Sequence, residues 1–405
     1  MRGHLKQRSK GSWTLWIELN RDPATNERRR QTFTVRGTKK EAEAKLRELL
    51  HQLDTGSFVT PNKLTLGDLL KQWLNDYAAH KVRPRTLEGY QYIIERHLIP
   101  SSIGGIALTN LTPAHIHGYY SKALESGRLD GKGGLSARTV KHHHELLVGA
   151  LNHAVKWGLV FRNIALVVDP PRPENKEILT LDDEAFDQML EACRPTPYYH
   201  LFHLALHTGL RRSELLGLRW KNVDLDLATL SVVQGMNRLK DGSNDFREPK
   251  TAKGRRFIDL TPTSALALRE HRQKMEAQAG LMGVPLTSES LVFTRVDGRP
   301  LSPSTVSHAF LDIARKAGLR GGPGESGIRL HDSRHTHATL MLKDGVHQKV
   351  VSERLGHSSV AFTLDTYGHV TPGMQKAAVL RFDQEREARR NARLVRNSES
   401  RAAIG

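Results

Sequence analysis

The sequence predicts a multidomain chain: a small β-sheet-plus-helix N-terminal module, an all-α four-helix domain, and a mixed, mainly-α domain with a small antiparallel sheet. Three observations predict it. A length of 405 residues with 38% apolar content supports two to three domains with real cores. The hydrophobic period changes from alternation near the N-terminus to helical spacing between Thr65 and about Val168, and then to a mixture. Finally, the prolines of DPPRPEN (169–175) deny both helix continuation and ladder donors, so this stretch reads as a linker. The expected boundaries are 1–60, 64–168, a linker over 169–177, 178–380, and a tail over 381–405.

The elements follow in order. WTLWIE (13–18) and RRQTFTV (29–35) alternate as strands do, with the turn-rich RDPATN between them. TKKEAEAKLRELLHQL (38–53) is a helix with Thr38 as its cap, closed by DTG. This unit of about 55 residues carries 13 Lys plus Arg against 7 Asp plus Glu and is too small to be an enzyme, so it reads as an accessory DNA-binding module. Four helical stretches come next, with Thr65, Thr86, Thr112 and Ser136 where N-caps are expected and Pro113 at a first helical position. Beyond the linker, helices around 181–192 and 198–207 precede the strand-rich TLSVVQG, FREPK and RRFIDL, and helices resume to about 380. The charged tail fits either a helix or a disordered segment.

Charge narrows the function. Lys plus Arg number 61 against 43 Asp plus Glu, a net charge of +18, which points to a polyanion partner. No run of about eighteen apolar residues occurs, and the N-terminus lacks the apolar core of a signal peptide, so nucleic acid is favoured over membrane and the cytoplasm is the expected compartment. A single cysteine, Cys193, excludes an internal disulfide framework and a cysteine-based zinc finger.

Four stretches of the third region carry residues suited to a phosphodiester. In TGLRRSELLGLRW (208–220), Thr208 and Gly209 break a helix and Arg211 starts the next, where free N–H groups favour an anion; Glu214 is placed to anchor a neighbouring guanidinium. REPKTAKGRRFIDL (247–260) reads as a hairpin with Lys250 just before its turn, a flexible ammonium able to protonate a departing oxygen, and Lys253 competes for that role. HDSRHTHATL (331–340) sets His331 and His335 one helical turn apart, a common zinc-ligand spacing. Arg334 lies beside them, however, and a fixed positive charge repels a metal while it suits a phosphate. The helix starts near His331 and is expected to bury Ala338, Leu340 and Met341, with His331 and Arg334 projecting from its first turn and His335 and His337 in structural roles. In ERLGHSSVAFTLDTYGHV (353–370), Gly356 ends a helix, His357 follows, and Thr366 and Gly368 flank Tyr367 in a loop or short helix. Each stretch alone also reads blandly, as a capped amphipathic helix, a basic loop, satisfied core histidines or a packed tyrosine.

Together, TGLR, PKT, HDSRH, LGH and DTY resemble, in order and spacing, the tyrosine recombinases of the phage-integrase family, and the chain up to its tail resembles the heterobivalent integrases of phages and conjugative transposons. The resemblance implies the tyrosine recombinase fold, with an N-terminal module on arm-type sites and two further domains clamping core DNA. It implies that Arg211 and Arg334 bind the non-bridging oxygens of the scissile phosphate and that Tyr367 is the nucleophile. His331 would be general base or proton relay, Lys250 the general acid, His357 a phosphate hydrogen-bond donor, and Glu214 a support. Ser333 departs from the commonest pattern, standing where leucine is frequent, a change expected to loosen local packing only.

The expected activity is therefore site-specific recombination: cutting and rejoining DNA strands through a 3′-phosphotyrosine, as a homotetramer on two duplexes, integrating or excising a mobile element. Neither metal nor other cofactor is expected, because arginines do the work of a divalent ion. Basic residues expected at DNA are Arg28, Arg29, Arg30, Lys39 and Lys40 in the first module and Arg83, Arg85, Arg138 and Lys141 in the helical domain. Accessory DNA-bending or excision factors are the expected further partners, and the location is the bacterial nucleoid. The rivals are a Xer-like resolvase, a type IB topoisomerase, and a DNA-binding protein without catalysis, for which Tyr367 would be dispensable.

Overall fold

The computed structural model describes residues 3–19, 26, 30–55, 58, 63–174, 178–249, 252–283, 285–319, 327–357, 359–367, 379–380 and 382–391. These form two compact units, residues 1–175 and 176–405.

The first unit opens with an antiparallel sheet, β1 (Gly3–Ser9), β2 (Ser12–Glu18) and β3 (Arg30–Arg36), in that order. β1 lies in the basic stretch; its residues are mostly exposed and Leu5 is its one apolar side chain on the core, too little to read as a strand's alternation. α1 (Lys39–Asp54) follows with a reciprocal capping box between Thr38 and Glu41, and sets Ala42 and Leu49 against the buried Leu15 and Ile17. The helical domain begins with α2 (Leu66–Trp73), continued through a wide turn into α3 (Ala79–Lys81), followed by α4 (Pro84–Ile93), α5 (Pro113–Ser126) and α6 (Ala137–Lys156). Thr65, Thr112 and Ser136 cap as their residue type predicts. Thr86 does not: α4 starts two residues earlier at Pro84, with Arg83 in the cap position. Proline presets the helical φ and needs no N–H partner there, so it sets the start. Trp73, Ile94, Leu98, Ile116, Leu147 and Leu151 fill the core between these helices.

The second unit packs α7 (Asp183–Cys193), α8 (Tyr199–Thr208) and the short α9 (Arg212–Gly217) beside a three-stranded sheet of order β4-β5-β8, made of Val223–Asp224, Thr229–Val232 and Arg256–Asp259. A separate hairpin joins β6 (Gly235–Arg238) to β7 (Asn244–Arg247). Residues 247–260 are therefore no hairpin, contrary to the sequence expectation. β7 pairs with β6 while β8 pairs with β5, so the segment crosses between two sheets. The buried Leu230 and Ile258 face one another across β5 and β8, and that apolar pairing fixes the partner. The remaining helices are α10 (Pro262–Met282), α11 (Pro303–Lys316), α12 (Asp332–Lys343), α13 (Gln348–Leu355) and α14 (Val360–Tyr367). In the tail, residues 382–391 are helical and exposed. Among the described residues, no helix is long and apolar enough to cross a membrane.

Candidate active site

Two helix ends build the floor. α8 stops at Gly209 (φ 63°) and α13 at Gly356 (φ 66°), both in the left-handed region that glycine enters without penalty. A side chain would be crowded at both: a Cβ on Gly209 would lie 2.7 Å from Leu355 Cδ2, and one on Gly356 3.1 Å from Arg256 and from the Lys253 carbonyl. These two ends expose carbonyls to one guanidinium. Arg334 donates through Nη1 to Gly209 O (2.8 Å) and through Nη2 to Leu355 O (2.5 Å), and is only 3% exposed. Arg334 thus does not project from its helix, as expected, but folds inward. Its fork is held rigid, with further N–H groups for a ligand.

Arg211 occupies the cap position of α9. Glu214 accepts from its backbone N–H (2.9 Å) and from Nη1 (2.8 Å), while Nη2 reaches Gly356 O at 3.4 Å. The other side of Glu214 is taken by Arg256, whose Nη1 and Nη2 meet the carboxylate at 3.2 and 2.9 Å and whose Nε donates to Arg354 O at 2.6 Å. Burial raises the Glu214 pKa, but the hydrogen bonds and charges of Arg256 and Arg211 outweigh it, and the carboxyl rests below its ordinary value. Arg211 keeps 39% of its side chain exposed where Glu214 and Arg256 keep 7% and 6%, so it is the member free to meet a ligand.

Tyr367 ends α14 and is 1% exposed. Its hydroxyl and His335 Nδ1 share a hydrogen bond of 2.9 Å. The His331 ring lies edge-on to His335 at 5.1 Å, and the His357 ring is stacked 6.3 Å from that of Tyr367. His357 Nδ1 pairs with Thr363 Oγ1 at 2.8 Å. Burial pushes the phenol up to about 12, against the pull of Arg334 and Arg211. Burial, then Arg334, Arg211 and Arg256, push His357 down to about 3. His331 is drawn down by partial desolvation and by Arg334, and Arg334 itself falls to about 9 through burial and the repulsion of Arg211. Clustered positive charge that depresses its neighbours in this way is relieved by an anion.

The structure thus brings together Arg211, Glu214, Arg334, His331, His357 and Tyr367. Lys250 lies outside the described residues, as do Thr251 and Gly368. Lys253 is exposed on a single 3-10 turn, its carbonyl against Gly356. His337 is structural: it is buried and accepts from Arg354 Nε at 3.0 Å. Leu340 and Met341 are only half-buried; Leu342 takes the core position beside Ala338, because α12 is enclosed on most sides and its polar first turns face the site. Ser333 is fully buried with its hydroxyl on Leu330 O at 2.7 Å, so the small residue is accommodated and not loose.

Two residues escape sequence reasoning. His335 reads as structural in the sequence, yet it touches the hydroxyl. Its signal is present, since positions 331 and 335 share a helix face. Arg256 has no local signal, because it meets Glu214 across 42 positions. Of the basic residues expected at DNA, Arg28 and Arg29 lie outside the described residues. Arg30 pairs with Glu18, Lys39 with Glu43 and Arg85 with Glu88. Lys40, Arg138 and Lys141 are exposed, and Arg83 is half-buried.

Residues 179–374 match the phage integrase family, and residues 65–124 match the phage integrase N-terminal SAM-like domain. A tyrosine recombinase XerC-like protein of Caldanaerobacter subterraneus is 31% identical over 359 residues, spanning 84% of this chain and 88% of the relative. In fold, the chain is similar to the Tn1549 transposon integrase in complex with transposon right end DNA, with a TM-score of 0.65 at 20% identity over 78% of this chain and 99% of that one. It is also similar to lambda integrase in a tetramer bound to a Holliday junction, with a TM-score of 0.55 at 19% identity over 90% and 94% of the two chains.

Proposed function

Since the chain belongs to the phage integrase family, the tyrosine recombinases, we propose that residues Arg211, Arg334 and Tyr367 cut and rejoin DNA strands in the integration or excision of a mobile element. One observation carries the assignment: a nearly buried tyrosine feels the charge of two guanidiniums, Arg334 and Arg211, that are each fixed by protein acceptors. Tyr367 Oη attacks the scissile phosphorus, the 3′-phosphotyrosine forms, and the 5′-oxygen leaves with a proton. Arg211 and Arg334 hold the two non-bridging oxygens, where charge grows in the transition state. His357 reaches the same phosphate with the ring nitrogen that Thr363 does not engage. Lys250 supplies the leaving proton. The phosphotyrosine conserves the bond energy, so rejoining by a 5′-hydroxyl needs no nucleotide. The lambda tetramer on a Holliday junction supports the same assembly here, four copies on two duplexes.

A randomised substrate makes the test independent of which base sequence is recognised. The protein is incubated with EDTA and a pool of nicked duplexes of randomised sequence, whose short cleaved end diffuses away. Covalent adducts are then isolated under denaturing conditions and sequenced. A trapped adduct that vanishes with Tyr367→Phe is expected; no adduct, or one that survives this substitution, overturns the reading.

Residues 1–60 act on separate arm-type DNA in this reading, a role supported by the net basic charge and the exposed Lys40. Removal of residues 1–60 is expected to leave adduct formation on captured core duplexes within a few-fold of the full chain while abolishing integration between plasmids. Equal integration by the truncated and full chains would refute the arm assignment.

A further inference from the structure

Strand cleavage needs a base to take the proton of Tyr367. The family resemblance points to His331, but it is His335 whose Nδ1 lies 2.9 Å from the hydroxyl. His331 stands one ring further out, edge-on to His335 at 5.1 Å. His335 is half-buried and Tyr367 almost wholly so. The hydroxyl is therefore screened from bulk water, and its proton needs a protein acceptor.

We propose that His335 is the general base of strand cleavage, with Tyr367 donating its hydroxyl hydrogen to Nδ1 and His331 acting behind it. The inference rests on the recombinase reading above and deepens it. The proton moves from Oη to Nδ1 as the Oη–P bond forms and the P–O5′ bond breaks; the 5′-oxygen takes its proton from a separate acid. His335 becomes an imidazolium beside the phosphotyrosine. On religation a 5′-hydroxyl attacks and gives its proton back to the conjugate base of that separate acid, the phenolate leaves, and it regains its own proton from Nδ1. One histidine thus serves both directions without exchanging its proton with solvent.

The electrostatics fit a proton that moves only when DNA is present. Burial, then His331 and Arg334, hold His335 at about 4, while the phenol stands at about 12. With that gap the proton stays on oxygen in the free enzyme, and transfer accompanies P–O bond formation. The groups that act on His335 are His331, Asp332, Arg334 and Arg329 from its own segment, and Tyr367 and His357 from the elements packed on it. A phosphodiester against Arg334 offsets part of the positive charge that now disfavours the imidazolium.

The experiment measures the single-turnover rate of adduct formation on a captured nicked duplex between about pH 6 and pH 9.5, for wild type, His335→Gln, His335→Gly and His331→Gln. His335→Gln is expected to bind the duplex as wild type does, to react about 10²- to 10⁴-fold more slowly, and to gain rate steadily with pH as hydroxide replaces the base. Added imidazole should restore His335→Gly, and His331→Gln should lose less rate than His335→Gln. A His335→Gln rate equal to or above wild type would show that the histidine merely parks the tyrosine, and slowing with an unchanged pH profile and no imidazole rescue would show a packing role. Either outcome overturns the proposal while the Tyr367-dependent adduct, and with it the recombinase reading, still stands.

Discussion

Arg334→Lys is expected to slow covalent adduct formation by about 10²- to 10³-fold while changing DNA affinity far less. The guanidinium makes two hydrogen bonds to carbonyls at the ends of α8 and α13 and still has N–H groups directed elsewhere. A lysine ammonium is a point charge with three donors on a flexible stem, and cannot span both carbonyls and a phosphate oxygen in one geometry. The loss therefore falls on the charge that develops during attack, which a preorganised fork meets without rearrangement. Single-turnover adduct rates and equilibrium binding on the same captured duplex separate the two effects. Equal losses in rate and affinity would mean that Arg334 contributes only binding, and an unchanged rate would remove it from the reaction.

Glu214→Gln is expected to destabilise the second unit by about 3–5 kcal/mol, the usual result of removing one partner from a buried ion pair. The substitution leaves Arg256 charged and nearly buried, with its carboxylate partner gone, and releases Arg211 from its anchor. Because the chain has two units, hydrogen exchange at α9 and β8 is a sounder measure than one global transition. The pH dependence has a definite sign. The folded-state pKa of Glu214 is depressed, so its contribution is complete above the ordinary carboxylate range and is lost as pH falls through the folded value. The gap between wild type and Glu214→Gln should accordingly close on acidification. An apolar double replacement, Glu214→Met with Arg256→Leu, is expected to recover much of the stability but not the adduct rate. If the double variant is as unstable as the single one, the pair stabilises through packing and not through charge.

Much of this was legible in the chain. Proline and glycine placed Gly209, Gly356 and the cap of α5 because their φ preferences are local. The capping residues Thr38, Thr65, Thr112 and Ser136 were readable for the same reason, whereas Thr86 failed because Pro84 outranked it. Strand pairing was less accessible. The partner of β8 depends on whether Ile258 meets Leu230 or a β7 residue, and both options look alike in sequence.

By itself, then, the sequence determined which residue types were available for phosphate chemistry, in what order, and at which helix ends, because caps, periodicity and net charge are properties of neighbours in the chain. Only the tertiary structure decided which of them touch. Arg334 turns inward because the ends of α8 and α13 bring two carbonyls to it; Arg256 joins the site because the start of β8 brings its guanidinium to Glu214. His335 replaces His331 at the tyrosine because α14 delivers the hydroxyl to the second histidine of the pair. Hydrogen bonds and buried charges act over a few ångströms, and those distances exist only once segments far apart in sequence have packed together.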